Sequence, residues 1–304
     1  MTESAGDASP FIGRHVLLIV AHQDDEVLGA GAQFCSFGQL SLLHVTDGAG
    51  FLPEARAKGF ASLRAYAAAR EREMRGAVAA AGVQATFHTL DVRCLEACFH
   101  LPAITHHLER AIAGIAPDII LTHAYEGGHP DHDAVALATH RAVLRMAVPP
   151  PVWEFTGYHR AGADTASGTS ADTVRGQFLP NGEAPLRLEL TAADRALKRQ
   201  MLDRFHSQLD VVAQFPLDAE VFRPAPNYDF TNPPHPLPLG YELEGWGMPA
   251  SLWRAAANEA MTSGRSWRLG TQLRWEMWTR RFHPDSPRVV GLMRAMPLIG
   301  CRAW

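Results

Sequence analysis

Nothing in this chain of 304 residues has the makings of a membrane span, since no apolar run approaches the roughly 20 residues needed to cross a bilayer. Cysteine is scarce: Cys35, Cys94, Cys98 and Cys301 are too few and too scattered for the disulfide framework of a secreted domain. Charge of one sign is lacking as well. Against 28 basic residues stand 32 acidic ones, a net charge of -4, which argues against a general nucleic-acid surface. Residues Met1 to Pro10 hold no basic segment followed by an apolar core, so no secretory signal is expected and a cytoplasmic location is the default. Internal repeats and low-complexity tracts of the kind that build scaffolds are also missing.

What is present is an alternation of strand-like and helix-like segments through the first half, the signature of a parallel sheet with crossover helices. Val16-Leu17-Leu18-Ile19-Val20 is short, continuous and branched, as expected of a strand buried on both faces. Leu42 to Val45 and Thr86 to Leu90 read as the second and third strands, and Pro117 to Leu121 as another run of the same character. Between them, Ala61 to Ala81 and Leu101 to Ile115 read as helices, and Asp133 to Met146 follows as a third. The expected fold class is α/β, a Rossmann-like mostly parallel sheet flanked by helices.

Two polar clusters follow strand-like runs directly. His22-Gln23-Asp24-Asp25-Glu26 comes after the first run, and His129-Pro130-Asp131-His132 after the run ending at Leu121. Both therefore fall at the carboxyl ends of strands, where open α/β sheets build their crevices. His22 and Asp25 are three residues apart, as are His129 and His132, so each pair shares a face if its segment turns helically. Two such pairs supply imidazole and carboxylate donors of the kind zinc accepts, and a catalytic zinc needs only three protein ligands beside an open position. Taken singly, each cluster equally suits a solvated helix start, where carboxylates meet the positive end of the dipole. Together, at equivalent topological positions, they point to a metal-dependent hydrolase.

These clusters resemble those of the LmbE-like, or PIG-L, N-acetylglucosaminyl deacetylases, whose hallmarks are Ala-His-Pro-Asp-Asp-Glu after the first strand and a later His-Pro-Asp-His. The resemblance covers roughly the first two-thirds of the chain and is supported by Thr46-Asp47-Gly48, by Arg70 with Glu73, and by Lys198 followed by Ser207-Gln208. It implies that His22, Asp25 and His132 are metal ligands, that Asp24 is the general base, that His129 stabilises or protonates the reacting amide, and that Asp131 orients His129. Arg70 is implied as a substrate contact. Zn²⁺ is the implied metal, although two histidines and one carboxylate can equally hold Fe²⁺. The implied reaction removes an acyl group, with acetyl as the leading case, from a small-molecule amino sugar or its conjugate. Hydrolysis of a different amide and a carbohydrate-binding protein of the same fold without turnover stay open as alternatives. Two positions depart from the pattern: Gln23 stands where the family has proline, and Gly127 where some members have a tyrosine, with Tyr125 out of register.

Asp47 and Asp91 follow the second and third strands and are candidate acceptors for sugar hydroxyls, or alternatively turn-shaping residues. Glu26 is a candidate orienter of His22. Beyond the triple proline at Pro149, Pro150 and Pro151, Val152 to Tyr158 reads as a strand, Arg160 to Arg175 as a loop, and Thr191 to Leu209 as a helix capped by Thr191. From Phe215 the composition turns rich in proline and tryptophan, which suggests a catalytic domain over residues 10–214 and an extension over 215–304 packed on it.

Overall fold

The computed structural model describes residues 9–161, 172–180 and 184–262. Cys301, noted above, and residues 263–304 of the proline- and tryptophan-rich extension lie outside the described residues.

A central sheet of seven strands runs in the order β3-β2-β1-β4-β5-β9-β8. Its parallel half comprises β1 (His15–Val20), β2 (Gln39–Thr46), β3 (Ala85–Val92), β4 (Ile119–His123) and β5 (Val152–Phe155), with α1 (Asp25–Ala30), α2 (Leu52–Ala57), α3 (Leu63–Ala80), α4 (Leu101–Ile115) and α5 (Pro130–Val143) between successive strands. A two-stranded antiparallel pair, β6 (Tyr158–Ala161) and β7 (Asp172–Arg175), stands apart from it. Then come β8 (Leu186–Glu189), α6 (Ala192–Leu202), α7 (Leu209–Val212), β9 (Ala219–Pro224), α8 (Gly240–Leu243) and α9 (Ala250–Thr262).

The first strand shows why the sheet forms. Leu17 and Ile19 point to one face, into a cluster with Leu43, Val45, Ile120 and residues of α4, α5 and α9. Val16, Leu18 and Val20 point to the other, against Met74, Ala77 and Val78 of α3, Met201 and Leu202 of α6, and Phe222. Period-two alternation with apolar side chains on both sides is what a doubly covered parallel strand requires. At about 1.5–3 kcal/mol for each fully buried aliphatic side chain, β1 alone anchors both layers.

The strand order turns at β1, since β2 and β3 lie on one side of it and β4 and β5 on the other. The carboxyl ends of β1 and β4 therefore flank the topological switch point at which such sheets open a crevice.

Local signals set the flanking helices. Ser62 caps α3 by accepting the Ala65 N–H, and Thr191 with Asp194 makes a reciprocal capping box on α6. Helix α5 begins at Pro130, earlier than the expected Asp133, because proline suits the first helical position and His129 caps it. His132 thus lies in its first turn.

Three expectations are corrected. The strand anticipated over Val152 to Tyr158 is two strands in separate sheets, broken before Tyr158, and both ends of the segment anticipated as a loop from Arg160 to Arg175 belong to the β6–β7 pair. Helix α6 stops at Leu202, and His206–Gln208 follows as a separate helical turn. Beyond the expected division after residue 214, β9 pairs antiparallel with both β5 and β8, so the main sheet continues across that point. Two buried ion pairs fix β9 there: Arg223 Nε donates to Glu154 Oε1 at 2.6 Å, and Lys198 Nζ donates to Glu220 Oε1 at 2.6 Å and to the Leu28 carbonyl. In α9, Trp253 is fully buried and its Nε1–H donates to the Pro130 carbonyl at 2.9 Å, which ties α9 to the start of α5.

Candidate active site

Three donor groups meet at the switch point. His22 Nδ1 lies 3.2 Å from His132 Nε2, Asp25 Oδ1 lies 3.2 Å from the same His132 atom, and Asp25 Oδ2 lies 3.3 Å from His22 Nδ1. Donors around a tetrahedral zinc with bonds of about 2.0–2.1 Å are separated by about 3.3–3.4 Å, so this triangle already has the size of one face of such a coordination shell. The residues present therefore fit a divalent ion with one or more open positions.

Supporting contacts aim each donor. Asp25 Oδ2 accepts the His22 backbone N–H at 2.7 Å, closing the turn after β1. The other nitrogen of His22, Nε2, faces Asp131 Oδ2 at 3.3 Å, which places its proton there and leaves the Nδ1 lone pair directed at the triangle. Asp131, wholly buried, also accepts the Leu95 and Ala97 N–H groups at 2.6 and 3.1 Å. The Asp131 carboxylate thus aims at His22, while it is the backbone N–H of Asp131 that meets His129 Nδ1. Glu26 likewise does not reach His22: its Oε2 faces His44 Nε2 at 3.0 Å and accepts the Asp24 N–H at 3.1 Å.

Burial opposes charge throughout, and the neighbours decide the outcome. The Asp25 carboxyl is held well below its ordinary range, because His132 and His123 outweigh desolvation. His22 is raised well above the ordinary range despite burial, by Cys94, Asp131 and Asp25. Asp24 is pushed up to about 6 by burial, with Arg70 opposing and Asp25 reinforcing. His129 is driven well below the ordinary range by burial and by the neighbouring His22 and His132. Its Nδ1 accepts the Asp131 N–H at 3.1 Å, so neutral His129 presents an Nε2–H donor.

Asp24 sits beside the triangle with an unusual backbone, φ 154°, in a region that side chains other than glycine rarely adopt. It is held there from two sides. Arg70, buried, donates to Asp24 Oδ2 at 2.9 Å and to the carbonyls of Gln23 and Gly48 at 3.0 and 2.6 Å. Gln23, at the position where the resembled motif has proline, braces the same turn by donating to the Thr46 carbonyl at 3.0 Å. Gly48 has φ +65°, a conformation that side chains resist, and a Cβ there would fall 2.1 Å from Gln23 Oε1 and displace the tip of that side chain.

A crevice of about 220 Å³ opens over these groups, with Phe51, Tyr158, Phe215 and Trp246 among its walls. His22, Asp24, Asp25, Arg70, His129 and His132 all line it. Asp47 and Asp91 do not: they line a separate cleft with Arg64, Glu71 and Arg75. The Asp47 carboxylate accepts the Ala49 and Cys94 N–H groups, and Asp91 accepts the Thr89 hydroxyl, so both shape turns. Tyr125 also points elsewhere, donating to the Asn232 carbonyl and stacking on Trp253.

Sequence reasoning missed His123 and Tyr158 as members of the site. His123 ends β4, lies 3.3 Å from Asp25 Oδ2 through Nε2, and stacks on His132 with ring centroids 4.0 Å apart. Burial and His132 lower it to about 4. Carrying the fourth strand two residues past Leu121 would have found it. Tyr158 enters the crevice from β6, where a Cβ on Gly128 would meet its carbonyl at 2.1 Å. Trp246 packs on His129 with centroids 4.6 Å apart. Gln208 is set by donating to the Tyr66 hydroxyl, and the turn that carries it is fixed by Ser207 donating to Glu73 at 2.6 Å through its hydroxyl.

Comparison with known proteins agrees with this architecture. Residues 17–143 match the PIG-L family, described as GlcNAc-PI de-N-acetylase. None of the curated proteins compared matches the chain. Among solved structures, A40926 pseudoaglycone deacetylase Dbv21 is 21% identical, with a TM-score of 0.53, over 71% of this chain and 98% of its own. A deacetylase of the teicoplanin biosynthesis pathway is 19% identical, with a TM-score of 0.52, over 70% of this chain and 98% of its own. These likenesses show the shared fold.

Proposed function

We propose that this chain, whose residues 17–143 form a PIG-L family domain, is a metal-dependent hydrolase that removes the acetyl group from an N-acetylated amino sugar or its conjugate. The observation that carries this reading is the triangle of His22, Asp25 and His132 with a second carboxylate, Asp24, beside it at the floor of a crevice. A protein that merely held a sugar would have no need of that second acid next to a metal ligand.

Zinc is the ion the donor set favours, with Fe²⁺ as the other accepted by two histidines and a carboxylate. When bound, it supplies Lewis-acid polarisation of the acyl oxygen and lowers the pKa of water at its open position. The chain's own residues do the rest. Asp24 takes the proton from the attacking water and delivers it to the nitrogen of the leaving amine as the C–N bond breaks, so that acetate and a primary amine are the products. Arg70 holds Asp24 in place, the Nε2–H of His129 donates to the charge developing on the acyl oxygen, and Tyr158 and Trp246 bound the space around the scissile amide.

The aromatic walls above a polar floor suit a sugar ring, whose apolar face stacks while its substituents reach polar groups. Unpaired Cys35, Cys94 and Cys98 are compatible with a reducing compartment, and we place the protein in the cytoplasm on that basis. Among the described residues no helix is long and apolar enough to cross a membrane.

The test is release of primary amine from a panel of N-acetylated amino sugars and conjugates by zinc-loaded protein, before and after chelation. Release that chelation stops supports the reading. A full complement of metal with no release across the panel overturns it in favour of another amide or of binding without turnover.

A further inference from the structure

On the far side of His22 from the metal triangle lies a second set of donors that the proposed reaction leaves unused as a set. Cys94, His129, Asp131 and His22 each offer one ligand atom, and all four atoms lie within 4.8 Å of one another. His22 Nε2 and Asp131 Oδ2 are 3.3 Å apart, and the rings of His22 and His129 meet edge to face with centroids 4.4 Å apart. The backbone brings the thiol there: the Cys94 N–H donates to Asp47 Oδ1 at 3.0 Å, and the next N–H groups, of Leu95 and Ala97, donate to Asp131. Cys94 lines the crevice, so the set is reached from the same opening as the triangle.

We infer that Cys94, His129, Asp131 and the outward nitrogen of His22 form a second cation site, selective for a soft divalent ion such as Zn²⁺ or Cd²⁺, whose filling shuts the crevice chemistry. A donor set of one sulfur, two imidazole nitrogens and one carboxylate oxygen is of the kind zinc and cadmium prefer, and the thiolate discriminates against Mg²⁺ and Ca²⁺. Binding displaces the thiol proton of Cys94 and the Nε2 proton of His22 to solvent, and nothing is oxidised or reduced. With both sites filled, His22 bridges them through its two nitrogens. The inhibitory consequence rests on the proposed deacetylation, since His129 would lose its role as donor and Asp131 its hold on His22; binding itself does not.

The experiment titrates Cd²⁺ into purified full chain already carrying one equivalent of Zn²⁺. It reads the ultraviolet thiolate-to-cadmium absorption and, after desalting, the zinc and cadmium content by mass spectrometry. A band that saturates at one cadmium per chain is expected. Cys94→Ser should abolish the band and weaken retention of the second ion by about tenfold or more, whereas Cys35→Ser and Cys98→Ser should keep both. Absence of the band in the unmodified chain, or its persistence in Cys94→Ser, overturns the inference whatever becomes of the deacetylase reading. Amine release at one equivalent of Zn²⁺ is scored separately, so failure of either conclusion is seen by itself.

Discussion

The guanidinium of Arg70 lies 2.9 Å from Asp24 Oδ2 and is turned by its other bonds towards the carbonyls of Gln23 and Gly48. An arginine that resemblance marks as a substrate contact is, in this chain, built into the support of the proposed base. Arg70→Lys keeps the charge but loses the fork that reaches three acceptors at once. It should lower kcat by about tenfold to a hundredfold, the scale on which loss of alignment acts, with KM little changed. Steady-state kinetics separate the cases: a rise in KM alone would make Arg70 a substrate contact after all.

Asp24→Asn removes the proton acceptor while keeping the shape of the side chain and one hydrogen-bonding oxygen. Turnover should fall by about a hundredfold to ten-thousandfold, while metal content by mass spectrometry stays at the unmodified level. Undiminished turnover would exclude Asp24 as the base.

Gly48→Ala tests the meeting of two loops. A methyl group there would fall 2.1 Å from Gln23 Oε1, at a backbone φ of +65° that alanine resists. The variant should lose about 1 kcal/mol or more of stability from the backbone conformation alone, and turnover should fall because Gln23 carries the turn that aims Asp24. Thermal unfolding and activity are measured on the same preparation. An unchanged melting temperature would mean that the loops can part without cost.

Lys198 and Glu220 form a buried pair at 2.6 Å. Lys198→Met leaves Glu220 without its cation and should cost about 3–5 kcal/mol, whereas pairing it with Glu220→Gln should recover part of that loss. Denaturant titration of both single variants and the double variant gives the coupling. Strict additivity would show that the pair does not act as a unit.

Much of the site was legible in sequence because its members stand next to strand ends. His22 and Asp25 close one turn after β1, and His132 falls in the first turn of a helix whose start is marked by Pro130, so their convergence follows from the order of the strands. The partner of Asp131 was not legible, because it was sought beside it in the chain at His129 and is found across the switch point at His22. Asp47 and Asp91 were expected in the crevice by the same strand-end logic. They turn away because their carboxylates are taken up by local N–H and hydroxyl groups. Tyr158 and Trp246 come from segments whose positions depend on tertiary packing, and no local period announces them. Strand β9 was hidden by the prolines around it: Pro224 ends the strand, and only pairing with β5 and β8 reveals that it belongs to the sheet.

The most direct measurement is amine release as a function of zinc bound, starting from metal-free chain and an N-acetylated amino sugar that the panel shows to be a substrate. Release should be absent without metal, rise in proportion to zinc, and break at one equivalent per chain, with acetate formed in equal amount. Release from the metal-free chain, or none at full occupancy of the His22, Asp25 and His132 site, would contradict metal-dependent deacetylation.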